Sequence, residues 1–399
     1  MSKKLVTIMA VLLAATMALA ACAPAASTAT QAPAAPTTAP AQPTTAPVQP
    51  TTAPVQPTTA PTTAPAAAAT QPAASGTQYK VGLVTDTGGV NDKSFNQSAW
   101  AGVQKAGQDL GMQVKYIESK QTTDYEKNID EFATEGYNVI VTVGFLMGDA
   151  TAAKAKQYPN IKFAIIDNSY FPTKGSAACP DTVKDCYKDG GLTNVTSLMF
   201  QEDQVGFLAG VLAAGMDKTN TVCSVSGMQI PPVERYVIGY QNGAKWMKPG
   251  INTLNVYIPS FTDPATGHTT GMSEISQGCD VVFGVGGNTG NGGLLAAKEK
   301  GLMAIGVDVD QYNTYPEVQS ALISSAMKNV DVAVYNYLKT IKDGTDQAGI
   351  LTANINNGGV GLAPFHDWDS KIPQSVKDKI AAATAGLKDG SIKTGYSAQ

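Results

Sequence analysis

The feature that most constrains this chain is an alternation running from Lys80 to Val307. Short apolar runs rich in β-branched residues trade places with segments whose apolar residues recur at helical spacing. Strand Lys80–Thr85 leads through a Gly-rich turn to Phe95, Ala99, Val103, Ala106 and Leu110 on one helical face. The unit repeats as strand Gln113–Glu118, helix Asp124–Glu135, strand Asn138–Val143, helix Asp149–Gln157 and strand Ile161–Asp167. After an irregular insert with two cysteines come strand Val195–Phe200 and helix Glu202–Met216. A second series follows: strand Thr221–Ser226, helix Val233–Met247, strand Thr253–Pro259, a helix near Ser273, strand Asp280–Val285, helix Gly293–Lys300 and strand Leu302–Val307. Strands alternating with helices pair in parallel, so the fold is α/β with two doubly wound parallel-sheet lobes. Strand Ala321–Met327, helix Asn329–Lys342, the run Gly358-Gly359-Val360-Gly361 and a last helix Gln374–Leu387 make a further pass over both sheets. Several crossings form a multi-strand hinge. Ligands of such sheets bind beyond the carboxyl ends of the strands, which puts the site in the interlobe cleft.

The alternation begins only at Lys80 because the chain holds two different polymers. No residue from Leu5 to Tyr79 carries a formal charge, and 12 of the 23 prolines lie between Ala23 and Thr77. Lys3 and Lys4 precede an apolar run, Leu5 to Ala21, that reads as a secretory signal. It ends in Leu19-Ala20-Ala21-Cys22, which resembles the lipobox of bacterial lipoproteins, so Cys22 is the expected lipidation site. Beyond it the heptapeptide Gln-Pro-Thr-Thr-Ala-Pro-Val occurs at 42–48 and again at 49–55. Recurrent proline removes amide donors and blocks helix, and nothing large and apolar is present to bury, so a polyproline-II-rich tether is expected. The expected divisions are 1–21 signal, 22–77 lipidated cysteine and tether, 78–200 plus about 328–348 as first lobe, and 201–327 plus about 349–399 as second lobe.

With Cys22 set aside, Cys179, Cys186, Cys223 and Cys279 remain, an even number suited to an oxidising, extracytoplasmic compartment. Three pairings are possible. The preferred one joins Cys179 to Cys186 across a polar loop and Cys223 to Cys279 at the starts of two strands. A four-cysteine zinc site is disfavoured, because the Cys179–Cys186 spacing exceeds that of a zinc knuckle.

A net charge of −4 and a pI near 5.3 argue against a nucleic-acid surface. His268 and His366 are the only histidines and neither stands in a metal-ligand pattern. There is no P-loop, no GxSxG elbow and no GxGxxG spacing, so no enzyme and no cofactor is expected. Polar groups instead gather at predicted strand ends. Asp86 can accept from an amino or ring N–H, Phe95 can stack on a planar ring, and Asn96 offers both donor and acceptor. Asp92 or Ser94 is the expected cap of the first helix. Asp167 ends another strand, and Gly286 lies in a glycine run whose amides can approach a ligand. Asp308 suits a vicinal diol, because one carboxylate accepts from two hydroxyls.

Four runs in order resemble the basic membrane protein family of lipoproteins. They are Gly88-Gly89-Val90-Asn91-Asp92-Lys93-Ser94-Phe95-Asn96-Gln97, Tyr236 to Lys245, Gly306-Val307-Asp308-Val309-Asp310-Gln311, and Ser325 to Asp331. The resemblance implies the class I periplasmic binding protein fold and a substrate-binding subunit of an ABC importer for a purine nucleoside. It implies that Phe95 and Tyr236 hold the base, with Asp86 and Asn96 contacting its edge, and that Asp308 and Lys328 hold the ribose. Asn91 replaces a usual acid and Tyr236 a usual phenylalanine. The expected partners are a small-molecule ligand, an ABC permease and the membrane, for a monomer anchored on the extracytoplasmic face. Two rival readings are a receptor read by a signalling partner and an extracellular enzyme using Asp308 and Asp310.

Overall fold

Parallel strands covered on both faces need nearly continuous apolar sequence. β1 (Lys80–Thr85), β3 (Val139–Val143), β4 (Lys162–Ile166) and β5 (Val195–Phe200) supply it and are almost wholly buried. The computed structural model describes residues 78–397, so the expected signal segment, Cys22 and most of the tether lie outside the described residues. With β2 (Gln113–Glu118) and β11 (Gly349–Ala353) these strands form one sheet in the order β11-β5-β4-β3-β1-β2, parallel throughout. A second six-stranded sheet contains β6 (Thr221–Ser226), β7 (Asn252–Tyr257), β8 (Val281–Val285), β9 (Met303–Asp308), β10 (Leu322–Lys328) and β12 (Val360–Leu362). Its order is β12-β10-β9-β8-β6-β7, and only the short β12 runs antiparallel. This is the doubly wound two-lobe fold expected, and each sheet has its topological switch beside its first strand, β1 or β6.

The helices are α1 (Phe95–Leu110), α2 (Tyr125–Thr134), α3 (Gly148–Gln157), α4 (Glu202–Met216), α5 (Pro231–Met247), α6 (Pro264–Ser276), α7 (Gly287–Glu299), α8 (Val330–Asp343) and α9 (Gln374–Asp389). α4 and α5 pack so closely that a Cβ on Gly206, Gly210, Gly239 or Gly243 would strike the facing helix's main chain. Three connections join the lobes: β5 through α4 to β6, β10 through α8 to β11, and β11 to β12. Cys179 pairs with Cys186 and Cys223 with Cys279, at Cα separations of 5.6 and 5.8 Å. Cys223 lies on β6, and Cys279 precedes its neighbour β8.

Two readings are corrected. The expected division returned the chain to the second lobe at residue 349, yet β11 pairs with β5 in the first sheet, so the last crossing comes after Ala353. A polar-flanked edge strand of five residues has no periodicity to betray which sheet it joins. The expected helix at Gly293 starts instead at Gly287. Its glycines are packing residues: a Cβ on Gly293 would meet the Val225 side chain at 2.7 Å, and one on Gly267 of α6 would meet the Thr289 carbonyl. Among the described residues no helix is long and apolar enough to cross a membrane.

Candidate functional site

The carboxyl ends of both sheets face one cavity between the lobes, as the crevice rule for such sheets requires. All eight residues singled out in the sequence line it: Asp86, Phe95, Asn96, Asp167, Tyr236, Gly286, Asp308 and Lys328. Strand ends place them. Asp86 follows β1, Asp167 follows β4, Asp308 ends β9, Lys328 ends β10, and Gly286 lies between β8 and α7. Asp167 and Asp308 take left-handed backbone conformations, with φ of 69° and 64°. Gly286, at φ 101°, sits so near the end of β6 that an added Cβ would lie 2.9 Å from the Gly227 nitrogen.

Phe95 and Asn96 begin α1, and the turn before them is organised by Asp92. Its carboxylate accepts from the backbone N–H groups of Ser94, Asn96 and Gln97 at 3.0, 2.9 and 3.1 Å. The Asn96 amide donates to Asp86 at 3.0 Å and to Asp92 at 3.2 Å, leaving its buried Oδ1 without a protein partner. Cap and site therefore share one turn. Burial pushes Asp92 up to about 7 although three N–H donors favour its charge, and burial likewise raises Asp86.

Opposite lies the second lobe's Asp308. Its Oδ2 accepts from the Ser94 hydroxyl at 2.5 Å and its Oδ1 from the Tyr236 hydroxyl at 3.2 Å. The Tyr236 hydroxyl also lies 3.3 Å from the Ala326 carbonyl, and its ring meets Phe283 edge-on at 5.9 Å. Tyr236 thus contributes a hydroxyl as well as a ring. Ile230, Val233, Phe145 and Phe261 supply further apolar wall that sequence reasoning did not name.

At the hinge, the fully buried Lys328 ammonium stands 2.5 Å from Asp167 Oδ2 and 2.8 Å from Glu202 Oε1, and 4.7 Å from the centre of the Phe95 ring. Glu202, the first residue of α4, also holds Arg235, the chain's one arginine, at 3.0 Å. Burial opposes the Lys328 charge, but Asp167, Glu202 and Asp308 outweigh it and raise the ammonium above its ordinary value. Burial raises Asp167 despite that cation, and the buried Asp167 Oδ1 has no protein partner. Glu202 and Arg235 were missed because an acid at a helix start reads as an ordinary favourable dipole contact. The cavity thus offers an aromatic face, carboxylate acceptors and one compensated cation. Among the described residues no cluster of His, Cys, Asp and Glu suits a metal ion.

Two α/β lobes enclosing such a cavity at the carboxyl ends of both sheets define a periplasmic-type substrate-binding protein. More specifically, the chain belongs to the family described as ABC transporter substrate-binding protein PnrA-like, whose model matches residues 79–388. The ABC transporter nucleoside-binding protein BmpA of Lactococcus lactis subsp. cremoris is 34% identical over 332 residues, covering 78% of this chain and 88% of that relative. Basic membrane protein A1 of Borrelia garinii subsp. bavariensis is 30% identical over 290 residues, covering 71% and 79%. An uncharacterized lipoprotein of Pyrococcus abyssi is 33% identical over 305 residues, covering 73% and 69%. The crystal structure of an ABC transporter system solute-binding protein from Aeropyrum pernix K1 superposes with a TM-score of 0.68 at 27% identity, covering 79% of this chain and 92% of that one. The chain is accordingly a substrate-binding protein of an ABC transporter rather than an enzyme, and a small-molecule ligand and a permease are its implied partners.

Proposed function

We propose that this protein is a lipid-anchored receptor on the extracytoplasmic face of the membrane that binds a purine nucleoside between its lobes and delivers it to its permease. The observation that carries the reading is a donor deficit in the cavity. Asn96 Oδ1 and Asp167 Oδ1 are buried acceptors without protein partners. An unpaired buried acceptor is costly, so the fitting ligand presents N–H or O–H donors together with a flat ring for Phe95. A nucleoside has both. Asp86 and Asn96 take the base edge, and Phe95 and Tyr236 flank the ring. Asp308, whose oxygens each keep a second lone pair, takes the sugar hydroxyls beside Lys328. The nucleoside-binding relative supports the same reading.

A thermal-shift series over nucleosides, free bases and sugars tests it. At 100 times its Kd a ligand adds about 2.7 kcal/mol of stability. Stabilisation by inosine, guanosine or adenosine is expected, and a response to sugars alone would overturn the nucleoside assignment. For the anchor, Cys22→Ser is expected to release the protein from membranes, and unchanged membrane retention would refute the lipidated cysteine.

A further inference from the structure

Away from the cavity wall, the lobes touch through a compact set of buried amides. Gln311, in the helical turn after Asp308, is fully buried, and Asn291 of α7 is 4% exposed. Gln311 Nε2 donates to the Lys93 carbonyl at 3.3 Å and to Asn291 Oδ1 at 2.8 Å. Asn291 Nδ2 donates to the Asp92 carbonyl at 3.0 Å, and the Thr314 hydroxyl to the Lys93 carbonyl at 2.9 Å. Every donor belongs to the second lobe and every main-chain acceptor to the first-lobe turn that launches α1.

We propose that Asn291 and Gln311 form a latch between the lobes, gripping the carbonyls of Asp92 and Lys93, and that this latch sets how long a bound ligand is held. Three features support this. Gln311 is itself fixed inside its lobe, since the Val307 N–H donates to its Oε1 at 2.9 Å and its own N–H donates to Ser325 Oγ at 3.1 Å, and Asn291 is held there by the Gln311 amide that donates to its Oδ1. The gripped turn is strained, since Lys93 holds φ 61° without being glycine, a conformation that persists only where its surroundings enforce it. The turn also leads directly into Phe95 and Asn96, so seizing it fixes two cavity residues against the opposite lobe. Asn291 and Gln311 lie outside the cavity lining, which makes them positioning residues rather than ligand contacts.

A latch acts on the population and lifetime of the closed form, so its loss shows in the dissociation rate and leaves association nearly untouched. Gln311→Glu keeps the shape and the acceptor used by Val307 but turns the donor into an acceptor facing two others. Thr314→Val removes one hydroxyl from a partly exposed position and serves if the first variant fails to fold. Full-length protein is compared in two measurements. In hydrogen exchange without nucleoside, amides of the Asp92 turn and the start of α1 are expected to exchange about tenfold faster in Gln311→Glu, while β3 and β8 stay protected. In stopped-flow binding of inosine, dissociation is expected to accelerate about tenfold at an association rate within about twofold of wild type. Wild-type exchange in the turn together with wild-type release overturns the latch, as does an affinity loss carried by association alone. The kinetic arm rests on the nucleoside reading. Should the parent protein bind no nucleoside, that reading fails while the exchange measurement still decides the latch.

Discussion

Replacing Lys328 by Met removes the cation that two buried carboxylates share while keeping a chain of similar length against Phe95 and Phe200. Lys328 is 1% exposed, and its ammonium lies 2.5 Å from Asp167 and 2.8 Å from Glu202. Arg235 reaches Glu202 but not Asp167 among the ion pairs of the described residues, so Asp167 is the group left uncompensated. Taking one partner from a buried pair costs about 3–5 kcal/mol. That is a large share of the roughly 5–15 kcal/mol by which a domain is stable. Relief comes with acid. In the variant, burial without a cation holds the folded pKa of Asp167 above its unfolded value, so the deficit is full above the folded pKa and shrinks as pH falls toward the unfolded value near 4. The recovery approaches about 1.4 kcal/mol per pH unit. In the parent, burial raises Asp167 too, but Lys328 holds that rise down, so the parent changes less over the same range; the raised folded pKa of Lys328 keeps its own stabilisation complete through neutral pH and loses it only as pH rises past that of a free lysine. Urea denaturation of both proteins at several pH values between 5 and 8 measures the difference. Adding Glu202→Gln to the variant removes a second buried acid and is expected to regain part of the loss. A deficit below about 1 kcal/mol at pH 7, or one independent of pH, would refute the charge argument.

Phe95→Ala is expected to weaken nucleoside binding by about 1–3 kcal/mol, the usual worth of stacking on a base, without unfolding the protein; calorimetry showing unchanged affinity would make Phe95 a packing residue. Asp308→Asn is expected to cost a nucleoside about 1.5–3 kcal/mol and the corresponding free base much less, because only the nucleoside presents sugar hydroxyls; equal losses for both would remove the ribose assignment. Glu274 is 2% exposed with neither carboxylate oxygen hydrogen-bonded, and burial pushes it up to about 8 from an ordinary 4.5. Its folded pKa is raised, so it erodes stability as pH climbs from 4.5 to 8; Glu274→Gln is expected to flatten that slope and to gain roughly 3 kcal/mol on the parent at pH 7 relative to pH 4, whereas parallel stability–pH curves would show Glu274 to be solvated.

Strand and helix order was legible because parallel strands covered on both faces are rich in apolar and β-branched residues; β3 and β8 are apolar almost throughout, β1 and β4 depart from that mainly at their ends, and β6 is legible by its Thr and Val although it buries Ser224 and Ser226. Cavity residues were legible for a related reason: in such sheets polar groups just past a carboxyl end face the crevice, which is where Asp86, Asp167 and Asp308 lie. What escaped depends on contacts distant in sequence. Whether a glycine run is a turn or a tight helix interface is decided by the facing helix, here α6 against α7. The β11 edge strand carries no marker for its sheet. Glu202 and Gln311 look like surface polar residues until the fold buries them.

The two strand-end aspartates show why folding and binding demands converge on one residue type. A strand that must stop abruptly and aim a side chain back across its own carboxyl end turns through the left-handed region, as Asp167 and Asp308 do. Among non-glycine residues, aspartate and asparagine tolerate that region best, because a short polar side chain can bond locally. Glycine would relieve the strain but provide no acceptor, and glutamate would keep the acceptor at a higher backbone cost. Aspartate alone satisfies the turn and brings a charged acceptor into the cavity. Asparagine is therefore the proper replacement at Asp308, since it keeps the backbone preference while removing the charge and turning one acceptor into an NH2 donor, which the hydroxyl beside it can meet by rotating. Alanine there would mix backbone strain with lost hydrogen bonds, and a fall in affinity could not be assigned to the sugar.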